Sequence, residues 1–239
     1  MASVQEIPIP YRIVALMLER NHLFTFPLER LAIEIQATRF RCDGCGACCT
    51  QAINPHIFLL DRDVREVKKI DPAAYEPAPD PEFCDQNGML YVSGYALRMK
   101  DDAVGSCWFL ENNKCRIYDR RFSICRTYPH MLRRSVGAKE EVIWQKFARP
   151  NEHGRSDLLQ SLEDCFVLAR EIREYEDAFL TQQIAFLETI HEYFTVHNLH
   201  HDPEVHKDRM QQFRQGRPVD IKVFYTGELE EYQIVRYPV

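Results

Sequence analysis

Four of the nine cysteines in this chain fall within eight residues, in the stretch Phe40-Arg41-Cys42-Asp43-Gly44-Cys45-Gly46-Ala47-Cys48-Cys49. Two cysteines three apart can chelate one metal, because a two-residue loop brings both sulfurs to one centre. The unit occurs twice here, overlapping, as Cys42/Cys45 and Cys45/Cys48. Gly44 and Gly46 suit it, since a tight metal loop needs positive φ angles and amides aimed at sulfur. Neighbouring side chains usually diverge, so the adjacent pair Cys48-Cys49 is expected to face two ways. It would then serve two metal centres, or one centre and a second role.

The cysteine count sets the redox context. An odd number argues against a complete disulfide framework, and in a cytoplasmic chain such density means metal or redox chemistry sooner than disulfides. The cytoplasm is the expected location. The only apolar run near the start, Ile13-Val14-Ala15-Leu16-Met17-Leu18, is stopped by Glu19 and Arg20. It falls short of the roughly 18–20 residues of a membrane span, and it lacks a basic leader or a small-residue cleavage site. A net charge of -6 argues against a general nucleic-acid binder. The 239 residues are 45% hydrophobic, enough for one large domain or two small ones with ordinary cores.

Along the chain, Tyr11 to Arg20 reads as an amphipathic helix, and Phe24-Thr25-Phe26-Pro27 as a break. Leu28, Leu31, Ala32 and Ile35 then recur at helical spacing up to about Arg39. Asp61 is placed to cap a helix running to about Lys69. Residues 71–88, rich in Pro, Asp and Glu, predict a surface loop that carries Cys84. Short strands are expected at Leu90-Val92, Ala96-Met99, Cys107-Leu110 and Val142-Trp144, with turns at Asp101-Asp102 and Glu111-Asn113. Apolar stripes from Ser156 to His197 predict two helices with a break near Glu176, and Ile221-Tyr225 and Tyr232-Val235 predict two strands or an extended arm. The fold class expected is α+β, with N-terminal helices, a cysteine-rich metal-binding centre with short strands, a C-terminal helical hairpin and an extended tail. The expected domains are 1–155, the cysteine-cluster domain with its N-terminal helices, and 156–239, a helical region with the tail packed on it.

The loop Cys42-x-x-Cys45-x-x-Cys48-Cys49 is followed by Cys107-x-x-Leu110, Cys115-Arg116-Ile117-Tyr118 and Cys125-Arg126-x-Tyr128-Pro129. Together these resemble the YkgJ-type cysteine-cluster family over roughly residues 38–150. The resemblance implies zinc or iron chelation and little about biochemical role; some relatives are linked to lysine methylation of flagellin, with an iron–sulfur cluster. One departure stands out. Many relatives continue with a Cys-Pro-Gly unit, and the matching stretch here is Ala148-Arg149-Pro150-Asn151. If that cysteine is a ligand, one centre must recruit Cys165 or Cys84, use another donor, or be absent.

The expected ligands are Cys42, Cys45, Cys48, Cys49, Cys107, Cys115 and Cys125, the last three gathered by the fold because they are spaced too widely for a local knuckle. Zinc favours two separated Cys-x-x-Cys knuckles. An overlapping run plus distant cysteines is closer to iron–sulfur ligation, so one or two [4Fe–4S] clusters are the expected cofactor, with Zn²⁺ as the alternative. Arg41, Arg116, Arg120, Arg121 and Arg126 would offset the charge of such a centre. Cys165 lies on an apolar helical stripe and reads as a core residue. His197 and His201, four apart, could share a helical face and chelate zinc.

No nucleotide loop, nucleophile elbow or Ser/His/Asp arrangement is present in the sequence. Three functions follow as expectations. The first is a redox- or oxygen-responsive iron–sulfur module that docks on and regulates a larger, oxygen-sensitive enzyme complex. The second is a protein-modifying, methyltransferase-like enzyme with the cluster at its site. The third is a structural zinc protein.

Overall fold

The computed structural model describes residues 7–40, 42–136, 142–147 and 159–235. The elements in order are α1 (Ile9–Leu23), α2 (Leu28–Thr38), β1 (Phe58–Leu59), α3 (Asp61–Ile70), β2 (Tyr75–Pro77), β3 (Phe83–Cys84), β4 (Leu90–Val92) and β5 (Tyr95–Leu97). They continue with β6 (Leu110–Glu111), β7 (Lys114–Cys115), α4 (Ser123–Thr127), β8 (Met131–Val136), β9 (Val142–Phe147), α5 (Leu162–Val196), α6 (Pro203–Arg214), β10 (Val219–Tyr225) and β11 (Glu228–Ile234). The α+β class expected from sequence is what the chain adopts. It divides into two compact units, each assembled from separated stretches: Met1–Val14, His56–Asp101 and Gln182–Val239 in one, Ala15–Pro55 and Asp102–Thr181 in the other.

The second of these units carries the cysteine cluster. The break between α1 and α2 falls at Phe24–Pro27, as expected. Pro27 holds φ at -67°, which suits the residue before a helix, and Arg39 closes α2 in the left-handed conformation at φ 50°. Leu31, Ala32 and Ile35 of α2 are buried with Leu23, Phe26, Leu132 and the Cys165/Ala169/Ile172 face of α5. Polar contacts fix the register around this apolar cluster. Arg20 Nε pairs with Asp177 Oδ1 at 2.6 Å. Gln36 Nε2 donates to the Gln160 carbonyl at 3.0 Å, and Gln160 Nε2 donates to the Phe40 carbonyl at 2.6 Å. The last of these secures the backbone where it runs into the cysteine loop. Hairpin β6–β7 turns through Asn112 and Asn113, both at positive φ, as asparagine tolerates. Strands β8 and β9 form a second hairpin with Met131 opposite Phe147.

The other unit holds two sheets. One has the order β1-β5-β2, antiparallel throughout, and the other β11-β10-β4-β3, in which β10 runs parallel to β4 with Ile221 opposite Leu90. Phe83, Tyr91, Phe186, Phe194 and Phe224 pack edge-on or tilted around one another at ring separations of 5.0–6.1 Å. The buried Gln182 amide bridges two segments, donating to the Ser93 carbonyl at 3.0 Å and accepting from the Asp61 amide at 3.0 Å.

Two expectations are corrected here. Residues 71–88 are not simply a surface loop: they contain β2 and β3, and Cys84 is fully buried. Its amide donates to His201 Nδ1 at 3.1 Å, and burial, then the Asp85 charge, push its thiol up to about 12. Nor does a helix break occur near Glu176. Helix α5 runs unbroken for 35 residues, and α6 follows after a turn, with Asp202 capping its amides. Among the described residues, no helix is long and apolar enough to cross a membrane.

Candidate metal centre

The cysteine loop leaves α2 at Phe40 and folds back through two left-handed glycines, Gly44 at φ 75° and Gly46 at φ 76°. The positive φ angles expected of both are present. Asp43 Oδ1 accepts from the Cys45 amide at 3.1 Å, a local turn that leaves Cys45 exposed. Residues Ala47–Cys49 then form one 3₁₀ turn. Successive side chains on such a turn are rotated by about 120°, less than on a strand, so adjacent sulfurs can meet. Cys49 is the first influence that raises the Cys48 thiol. Asn54 Nδ2 clamps the Cys48 carbonyl at 2.7 Å.

A second segment is zipped onto this turn. The Cys107 amide donates to the Cys49 carbonyl at 2.7 Å, Thr50 and Ser106 form a β-bridge, and the Gln51 amide is shared between the carbonyls of Val104 and Gly105. Cys107 is buried as a result. Hairpin β6–β7 places Cys115 opposite Leu110, and Leu110 Cδ1 in turn lies 2.9 Å from where a Cβ would stand on Gly46. A third segment, α4, presents Cys125 beside the buried Phe122, whose ring is 6.2 Å from that of Phe109.

The thiols of these three segments act on one another. Burial first, then the charges of Cys107, Cys48 and Cys115, hold the Cys125 thiol far above its ordinary value. Burial, with the charges of Cys48 and Cys42, raises Cys115 as well. Cys48 is raised most by its neighbour Cys49, then by burial. Arg121 opposes the shift at Cys48, Cys115 and Cys125. Cys48, Cys115 and Cys125 each interact with three other cysteines, so none of the three segments stands apart from the others. The structure brings Cys42, Cys48, Cys49, Cys107, Cys115 and Cys125 into one neighbourhood; Cys45 sits on the exposed rim of the same loop. Cys84 belongs to the other unit, and Cys165 is packed in the apolar cluster under α5.

Among the described residues, no three His, Cys, Asp or Glu side chains are closed into a metal cage. The donor set still fits a soft or borderline metal, because it consists of thiols converging from three segments onto a half-buried site. Binding would require these thiols to release their protons and draw inward. The stretch 148–151, where the family's additional cysteine would fall, lies outside the described residues, as does Arg41. His197 and His201 do not share a helical face, since α5 ends at Val196 and the His201 ring turns to the Cys84 backbone. Asp43, Asn54 and Glu171, which shape the site without contributing sulfur, were not singled out by the sequence. Asp43-x-Cys45 is a turn signal that could have been found; Asn54 and Glu171 carry none.

Residues 41–149 match the CxxCxxCC family model, described as a "putative zinc- or iron-chelating domain". The match agrees with the family resemblance drawn from the cysteine spacing. No curated protein and no solved structure matches the chain.

Proposed function

We propose that this chain binds an iron–sulfur cluster through the thiols gathered around Cys48, Cys115 and Cys125 and acts as a redox-responsive module on a larger protein complex. The observation that supports the reading is that cysteines from three chain segments lie in one neighbourhood, joined where the Cys107 amide donates to the Cys49 carbonyl. Two zinc knuckles would instead gather as separate local pairs. A cluster, when bound, supplies one-electron chemistry at a potential set by its surroundings. The chain's part is to hold the sulfurs, shield them on the Phe109/Phe122 side, and leave Cys45 at the solvent edge. Hydrogen bonds from the cysteine loop to residues 104–107 join the state of the centre to the surface around it, which is how loss of a cluster would be felt by a partner.

The test is the visible spectrum and metal content of protein purified without oxygen. A brown protein with roughly four iron per cube supports the reading, and about eight would mean two cubes. Bleaching in air together with altered partner binding would support the responsive role. A colourless protein holding one or two zinc overturns the redox reading in favour of a structural centre. Saturable binding of a methyl donor such as S-adenosylmethionine would favour a protein-modifying enzyme instead.

A further inference from the structure

Of the arginines interleaved with the cysteines, most are engaged elsewhere. Arg116 pairs with Glu111 at 3.3 Å and lies over the Phe109 ring, Arg126 pairs with Glu171, and Arg120 is exposed. Arg121 is the half-buried one, and its Nη1 donates to Cys42 Sγ at 3.7 Å. Its pose is built from several directions. Its Nε donates to the Tyr118 carbonyl at 3.0 Å, and its guanidinium carbon stands 3.9 Å from the centroid of the Tyr118 ring. Its own carbonyl accepts from Arg126 Nη1, while Arg126 Nε is held by Glu171 of α5.

We propose that Arg121 is the fixed counter-cation of the sulfur centre, with Arg126 and Glu171 as the residues that position it. This rests on the reading that the converging thiols hold a metal. A divalent ion held by four thiolates carries a net charge of about -2, and repulsion among the sulfurs limits how closely they can gather. A guanidinium already in place beside Cys42, and within electrostatic reach of Cys48, Cys115 and Cys125, offsets half of that charge without reorganising when the thiolates form. Glu171 acts at one remove: it orients Arg126, which holds the Arg121 backbone.

The experiment is Zn²⁺ affinity of the full chain, measured without oxygen by competition with a chromophoric chelator. Arg121→Gln is expected to weaken binding by about 10- to 100-fold. Arg121→Lys should recover part of the loss, because charge is restored without the planar fork. Glu171→Gln should weaken binding by about tenfold. Far-UV circular dichroism of the metal-free variants verifies that the fold is kept. Wild-type protein that binds no Zn²⁺ and purifies without iron overturns the metal-centre reading itself. Wild-type protein that binds, with Arg121→Gln within twofold of it, overturns this inference alone. If Arg121→Gln does not fold, Glu171→Gln decides: unchanged affinity counts against the proposal.

Discussion

The backbone amide of Cys107 donates to the carbonyl of Cys49 at 2.7 Å. That single bond joins two parts of the chain more than fifty residues apart and fixes the depth at which the second cysteine segment meets the first. The thiols it organises are expected to respond very differently to deletion. Cys48→Ala and Cys115→Ala should each bring bound metal below half of the wild-type content, whereas Cys84→Ala and Cys165→Ala should leave it unchanged. Elemental analysis of the four variants reads this directly. Metal retained by Cys48→Ala would remove Cys48 from the ligand set.

Gly46 is a position where the loop strains any side chain. It holds φ at 76°, and an added Cβ would stand 2.9 Å from Leu110 Cδ1 and 3.3 Å from the Asn113 carbonyl. Gly46→Ala is expected to cost about 1–2 kcal/mol from the left-handed conformation alone. It should lower both the thermal midpoint and metal affinity. Unchanged affinity would mean that the loop can form the centre by another path.

Glu82 predicts a pH dependence of stability. Burial, partly offset by hydrogen bonds from the Ser93 hydroxyl at 2.5 Å and amide at 3.1 Å and by the charge of Arg12, raises its carboxyl to about 7. The folded chain thus holds this proton more tightly than an unfolded chain, in which the group titrates near 4.5. Its stabilising contribution is fully present below pH 4.5 and is lost as pH rises through 7, by on the order of 3 kcal/mol at most. The difference in urea stability between wild type and Glu82→Gln should fall over that window. A flat difference would argue that Glu82 is solvated.

Lys68 projects its ammonium to 4.1 Å from the centroid of the Tyr225 ring, with Tyr75 and Tyr95 at 5.5 and 5.9 Å. Tyr95 itself is buried, and its hydroxyl is hydrogen-bonded to Tyr232 at 2.7 Å and to Glu230. A cation shared by three rings should contribute about 1–2 kcal/mol. A double-mutant cycle with Lys68→Met and Tyr225→Leu is expected to return the share of the nearest ring, about 0.5–1 kcal/mol. Strict additivity would reduce the contact to incidental packing.

Local chemistry was legible in the sequence, and long-range pairing was not. The break at Phe24–Pro27, the Asn112-Asn113 turn, the positive φ of Gly44 and Gly46 and the β10 and β11 strands all follow from signals within a few residues. The parallel pairing of Leu90–Val92 with Ile221–Val223 joins segments about 130 residues apart, and nothing in either strand names its partner. Cys84 was hidden because prolines and acids dominate its flanks, although Phe83 and Cys84 themselves are apolar and pair with β4. The expected break in α5 has a specific cause. Its buried positions Cys165, Ala169, Ile172, Leu180, Ile184, Leu187 and Ile190 form one continuous stripe, and Glu176 occupies the turn between Ile172 and Leu180, with the buried Tyr175 filling in beside it. One polar residue in a stripe reads as a stop when seven buried neighbours carry the helix through. At the candidate centre, spacing identified the cysteines, but the bond from the Cys107 amide to Cys49 and the placement of Arg121 beside Cys42 depend on how three segments are folded together.

The cysteine-bearing unit is interrupted in sequence, since His56–Asp101 belongs to the other unit. During synthesis, Cys42 to Cys49 therefore leave the ribosome well before Cys107, Cys115 and Cys125 exist. At about 5–20 residues per second, the interval from Cys49 to Cys125 lasts roughly 4–15 seconds. For roughly the first 3–12 seconds of it, until Cys107 appears, the four clustered thiols have none of their later partners, and any oxidant or stray metal ion meets them as an open chelator. The order of the chain thus leaves the newborn thiols more open to chance chemistry than the folded ones, and the proposed centre could be completed only after residue 125 has emerged.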